Sequence, residues 1–321
     1  MYDRRDAEPF RTWVAPVTAS GPPRQPRPGE GAAGPFGADG PVQLERFMDL
    51  REHFAARLDR ALAWDEPRFV RADWAARNTA LAAELLPRPA PDFLRRPAIL
   101  YQMFVADKYL AHEMPFVLDR LPAPAWARED PVGDPPRAPL AGTGVMTSSN
   151  TVHTLHHLLC FEESTGRRLR DVGTVVEWGG GYGNLAKHLV RLRGTVPTLV
   201  MFDSPVFATV QWLYLSSVLG PGAVVLQTQA GFRVRPGAVN VVPIGLAAET
   251  DVQADLFVST WALNESTAAA QDHVAGRAWF GAEALLLAMH RGDPLERRIL
   301  EAGARSVALG PFMPSQQYLL R

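Results

Sequence analysis

Between residues 42 and 121 apolar side chains recur at spacings of three and four, as in the series Leu44, Phe47, Met48, Leu50, Phe54 and Leu58. That is the period of an amphipathic helix. A second helical stretch covers 69–86, with Val70, Trp74, Leu81, Leu85 and Leu86. A third and longer one follows Pro91 and runs through Leu100, Met103, Phe104, Val105 and Leu110, with Pro97 near its start, where a proline costs no hydrogen bond. Prolines then crowd 122–139 (Pro122, Pro124, Pro131, Pro135, Pro136 and Pro139) and predict a connector. The cap-forming cluster Thr147-Ser148-Ser149-Asn150-Thr151 predicts a helix start leading into 152–160.

Beyond Leu169 the pattern alternates between short apolar runs and helical stretches. Strands are expected at 172–178, 198–202, 224–228, 239–244, 255–259, 285–289, 306–309 and 317–320, with helices at 184–193, 206–219, 267–279 and from Asp293-Pro294 to about 302. Strands alternating with helices of this length predict an α/β fold: a Rossmann-like, mostly parallel sheet covered on both faces and ending in a hairpin. An all-helical N-terminal domain precedes it. The expected divisions are a Pro/Gly-rich disordered arm over 1–41 with Trp13, Val14 and Phe36 as anchors, a helical cap over 42–145 for acceptor binding or dimerisation, and the sheet domain over 146–321.

Composition narrows the function classes. The 321 residues carry 33 basic against 34 acidic side chains and are 47% hydrophobic, so a packed core is expected and the footprint of a nucleic-acid binder is missing. The single cysteine, Cys160, excludes an internal disulfide and a thiolate metal site. Residues 1–10 carry five charges and no apolar run resembling a secretory signal, and no apolar run approaches the roughly 20 residues that cross a bilayer. The expected location is the cytoplasm, without membrane contact.

The most informative segment is Val175-Val176-Glu177-Trp178-Gly179-Gly180-Gly181-Tyr182-Gly183-Asn184. An apolar strand delivers an acid, glycines follow at alternate positions, and a helix begins. Glycines permit a tight turn and let a ligand lie on bare backbone, while the helix start offers unpaired N–H groups. A dinucleotide site uses G-x-G-x-x-G; here the third glycine comes one residue early and an acid stands two before the first. That argues against a nicotinamide oxidoreductase. An acid there suits a cationic amine, as the methionyl part of S-adenosylmethionine (SAM) presents. Asp203 ends the next strand, 24 residues after Gly179, where a carboxylate accepts from both ribose hydroxyls.

With Phe202-Asp203-Ser204-Pro205, Tyr214-Leu215-Ser216 and the run 255–265 (Asp-Leu-Phe-Val-Ser-Thr-Trp-Ala-Leu-Asn-Glu), this segment resembles the sugar O-methyltransferases of natural-product gene clusters over about 147–321. The resemblance implies a class I methyltransferase fold with a seven-stranded sheet, SAM as cofactor and S-adenosylhomocysteine as product. It further implies that Glu177, Gly179, Gly181 and Gly183 hold the methionyl end and Asp203 the ribose, with Tyr182 and Ser204 beside them. Ser204 departs from the apolar residue expected between Asp and Pro.

Transfer to a hydroxyl needs a base at the carboxyl ends of the strands. Glu265 follows the 255–260 strand in a loop with Trp261 and Asn264; it is a base or an acid pairing with Arg or capping the next helix. His290 ends a strand and is a base or a surface side chain. His153, His156 and His157 share a helix face at spacings of three and four; His153, beside Ser149 and Asn150, is the candidate to line an acceptor pocket, with metal binding and plain packing as the alternatives. Tyr101 joins Ser149, Asn150, Trp261 and Asn264 as a substrate candidate. No metal is expected. The reading is a SAM-dependent methyltransferase acting on a hydroxyl of a sugar or other polar secondary metabolite, as a homodimer. Its alternatives are N- or C-methylation of a non-sugar metabolite and a non-catalytic scaffold on the same fold.

Overall fold

The computed structural model describes residues 40–104, 107–310 and 313–321; the expected arm lies almost wholly outside them. Five helices come first: α1 (Gly40–Leu50), α2 (Phe54–Leu62), α3 (Ala72–Leu85), α4 (Pro97–Met103) and α5 (Asp107–Arg120). The one long helix expected after Pro91 is two, because Phe104 takes φ −94° and ψ 93° and ends α4. The proline-rich stretch is packed rather than free. Ala127 and Val132 are fully buried, Glu129 and Asp130 are buried beside them, and its end pairs as a hairpin of β1 (Ala138–Leu140) and β2 (Val145–Thr147). Next comes α6 (Ser149–Thr165), where the Ser148 hydroxyl accepts from the Thr151 N–H and Gly166 ends the helix in the left-handed region.

The remaining elements are β3 (Thr174–Trp178), α7 (Asn184–Arg193), β4 (Thr198–Asp203), α8 (Pro205–Leu219), β5 (Val224–Leu226), β6 (Val239–Pro243), β7 (Leu256–Thr260), α9 (Ala268–Gly276), β8 (Ala284–His290), α10 (Pro294–Glu301), β9 (Arg305–Ala308) and β10 (Gln316–Leu320). They build one sheet in the order β5-β6-β4-β3-β7-β8-β10-β9. It has eight strands, not the seven implied by the family resemblance, since β5 adds to the edge in parallel with β6. All pairs from β5 to β8 are parallel; β10 runs antiparallel to both β8 and β9. β3 bonds to β4 on one side and β7 on the other. The connections reverse direction there, and the carboxyl ends of β3 and β7 flank the crevice where such sheets bind ligands.

Successive residues of each central strand enter different cores, as a pleat requires. Val175, Leu199, Met201, Val239, Val241 and Val258 pack with α7, α8 and the N-terminal helices. Val176, Trp178, Val200, Phe202, Val242 and Phe257 pack with α9 and α10. Helix α8 is buried from Pro205 to Val218, the signature of a helix covered all round: the sheet lies beneath it, while α1 and α2 lie above it. Arg57 of α2 places its guanidinium 4.0 Å from the Trp212 ring of α8. The helical region and the sheet therefore share one core. No described helix is long and apolar enough to cross a membrane.

Candidate active site

The turn after β3 is glycine by necessity. Gly179 sits at φ +77°, and a Cβ there would fall 2.1 Å from Cβ of Ala262; Gly181, at φ +57°, has Met103 of α4 against it, with Sδ 2.7 Å from where a Cβ would stand. The Gly179 N–H donates to the Phe202 carbonyl at 2.8 Å, tying the turn to β4. Helix α7 then starts with no side-chain cap, so its first N–H groups face the turn.

Two acids close this turn from below and beside. Glu177 is buried at the end of β3, and one of its carboxylate oxygens has no hydrogen-bond partner among the described residues. Burial, reinforced by the neighbouring Asp203 charge, pushes its carboxyl up to about 8. Asp203, at the end of β4, is pushed up to about 7 by burial, against the donors around it. Those donors are the Ser204 N–H at 2.8 Å, the Gln211 amide at 2.7 Å, and the N–H groups of Gly180 and Gly181. Neither acid forms an ion pair among the described residues. Tyr182 is buried beneath the turn, stacked on Phe104 at 5.9 Å and edge-on to Tyr214 at 4.9 Å. Ser204 caps α8 by position, and its buried hydroxyl has no partner among the described residues.

Across the crevice, α6 turns its three histidines toward α5 and the β7 end. His153 Nδ1 lies 2.7 Å from Oε1 of Glu113, a carboxylate with no solvent exposure. The His153 ring stacks on Trp261 at 5.1 Å with 24° between planes, and His157 lies 5.3 Å from the same indole. Trp261 holds a left-handed φ of +61°, a conformation a bulky side chain adopts under constraint. It precedes Ala262, whose Cβ abuts Gly179, so the histidine face reaches the glycine turn through two residues. His153 Nε2 is buried without a partner among the described residues.

The other two histidines are satisfied. The Tyr318 hydroxyl sits 2.9 Å from Nδ1 of His156 and 2.7 Å from Nδ1 of His157. Burial lowers His156 to about 4 and His157 well below its usual value, so both are neutral at pH 7. Among the described residues no group of three or more His, Cys, Asp or Glu side chains is arranged to hold a metal ion.

The remaining sequence-predicted residues divide. Ser149 is buried at the start of α6, and the Asn150 side chain lies beside the Tyr182 hydroxyl. Asn264 stands in the loop after β7, its Oδ1 buried without a partner among the described residues. Glu265 accepts from Trp74 Nε1 at 3.0 Å, so α3 pins the carboxylate. His290 is exposed at the end of β8, paired in register with Gln316. Tyr101 is 60% exposed on α4. Nothing in the sequence marked Glu113, Met103 or Gln211 as a site residue, since each meets its partner only through tertiary packing.

No protein-family model matches the chain, and no curated protein matches it. Solved structures with a similar fold include fibrillarin of Aeropyrum pernix with bound S-adenosyl-L-methionine, 13% identical over 52% of this chain and 73% of that one, TM-score 0.35. Magnesium protoporphyrin IX methyltransferase of Synechocystis, also with bound SAM, is 14% identical over 52% and 78%, TM-score 0.37. Precorrin-6y C5,15-methyltransferase of Geobacter metallireducens is 12% identical over 54% and 87%, TM-score 0.34. One fold carries many functions at such identities, and the functional reading rests on the residues of this chain.

Proposed function

We propose that the chain is a SAM-dependent methyltransferase that methylates a hydroxyl of a sugar or similarly polar metabolite. The observation that carries this reading is the pair of buried acids, Glu177 and Asp203, placed on either side of a glycine turn at the sheet's reversal point with no ion-pair partner among the described residues. A ligand that is itself a cation and carries a diol suits that arrangement; the unpartnered Glu177 oxygen suits an ammonium donor, and Asp203 suits ribose hydroxyls. When bound, SAM supplies a methyl group activated on a cationic sulfur.

The chain's own part is to place the acceptor and take its proton. His153 is the base we favour over Glu265 and His290, because Glu265 is engaged by Trp74 and His290 stands exposed. With Nδ1–H donated to Glu113, the His153 Nε2 lone pair is available to the acceptor O–H, and the imidazolium formed is stabilised by the same carboxylate. Trp261 packs against the imidazole and, with Ser149, Asn150 and Asn264, lines the acceptor side. The test is incubation with SAM and a panel of nucleotide sugars and glycosylated metabolites, read as a gain of one methyl by mass. His153→Asn should reduce turnover roughly 100- to 10,000-fold while leaving SAM affinity within about twofold. Full turnover in His153→Asn would discard this base, and no SAM binding by the wild type would discard the reading.

A further inference from the structure

Helix α8 is buried on every side, and at its centre it carries one amide, Gln211, with no solvent exposure. A buried polar side chain is tolerated where its hydrogen bonds are made, and here it is the Nε2 end that makes them, while Oε1 has no partner among the described residues. The Gln211 Nε2 group donates to Oδ2 of Asp203 at 2.7 Å and to the carbonyl of Gly181 at 3.0 Å. Both partners can only accept when the acid is ionised, which fixes which end of the amide faces them. Gln211 thus joins two parts of the crevice that arise from different loops: the acid that ends β4 and the glycine turn that follows β3. Its place follows from helix geometry. Ser204 is the residue before α8, and Gln211 comes seven residues later, two turns up the same face. The side chain therefore reaches back over the carboxylate that the helix start already holds through the Ser204 N–H.

We infer that Gln211 is a positioning residue for the cofactor: it orients Asp203 toward the ribose hydroxyls, favours its carboxylate form, and fixes the Gly181 peptide so that the turn is formed before the ligand arrives. The inference rests on the SAM reading above. Its consequence is a coupling between the glycine turn and the ribose acid, with Gln211 the strut that transmits it. A donor to a carboxylate stabilises the charged form, so loss of the amide shifts Asp203 ionisation to higher pH and shifts the pH dependence of ligand binding with it; Glu177 of β3, the acid whose charge couples to Asp203, is unchanged in the Gln211 variants, so the shift is read as the difference from wild type. A residue that served only packing would weaken binding equally at every pH.

The experiment is calorimetric titration of the full chain with S-adenosylhomocysteine from pH 6 to 9, for wild type, Asp203→Ala, Gln211→Leu and Gln211→Glu, with thermal melts confirming that each variant is folded. Gln211→Leu should weaken binding roughly ten- to a hundredfold at pH 7 and move the pH midpoint of affinity upward. Gln211→Glu, nearly equal in volume, should move it further, because it sets a second carboxylate against Asp203. Wild-type affinity with an unshifted midpoint in both Gln211 variants, alongside loss in Asp203→Ala, would overturn the inference and leave the cofactor reading standing. Failure of the wild type to bind would overturn both.

Discussion

Two pairs of buried acids lie in the same α/β body and behave in opposite ways. Glu129 and Asp130, from the packed proline-rich stretch, surround the Lys187 ammonium at 2.9 Å and 3.2 Å, and Arg191 meets Asp130 at 2.7 Å. Tyr214, Ser148 and Thr151 complete the hydrogen bonding. Burial alone would raise the Asp130 carboxyl; Lys187 and then Arg191 more than reverse that and hold it well below the ordinary carboxylate range. Glu177 and Asp203 are the same residue types at similar depth, and burial raises both, to about 8 and about 7. The difference is the countercharge. The first pair is a finished structural joint that pins α6, α7, α8 and the chain before β1 together. The second pair has no countercharge among the described residues, which is the arrangement expected of the proposed site, where the ligand would bring the charge.

The contrast can be broken from either side. The largest effect is expected at the finished joint. Lys187→Met leaves two acids buried without their central cation and should destabilise the fold by about 3–5 kcal/mol, read by urea unfolding; a loss under about 1 kcal/mol would mean that the joint is not what holds these elements. At the open pair the sign should invert. An acid whose pKa rises on folding contributes stability only while protonated: the contribution is complete below the ordinary carboxylate range near 4 and is lost as pH climbs through about 7 and about 8. Glu177→Gln should therefore stabilise the ligand-free protein at pH 8.5, by an amount on the order of 2 kcal/mol, while weakening SAM binding at least roughly tenfold. A smaller effect is expected from pH alone. SAM affinity in the wild type should increase about tenfold between pH 6.5 and 8.5 as the pair ionises, measured by titration across that range; a flat profile would argue that a cation does not bind there.

The two pairs also differ in how far they could be read from the sequence. Glu177 and Asp203 lie at strand ends beside a glycine pattern, so local spacing placed them, and the alternation of strands and helices from Thr174 onward predicted the sheet to within a residue or two at most boundaries. Glu129 and Asp130 looked like part of a proline-rich connector, because nothing local says that an acid 58 residues before Lys187 will meet it. The same holds for Glu113, 40 residues before His153, and for Gln211, which reads as one polar residue in an apolar helix until Asp203 and Gly181 close on it. The break at Phe104 escaped for a related reason: apolar spacing continues through it, and the chain departs from helix where Phe104 stacks on Tyr182. Turn chemistry and periodicity are local and legible. Side-chain pairing across the fold is not.

Glu177 and Asp203 are proposed to take their countercharge from the ligand, and proton release on SAM binding tests that claim. Titration calorimetry at pH 7.5 in buffers of different ionisation enthalpy counts the protons exchanged. The expected result is release of about one proton per SAM bound in the wild type, falling toward zero in Glu177→Gln. Binding without proton release, or release unchanged in that variant, would contradict the claim.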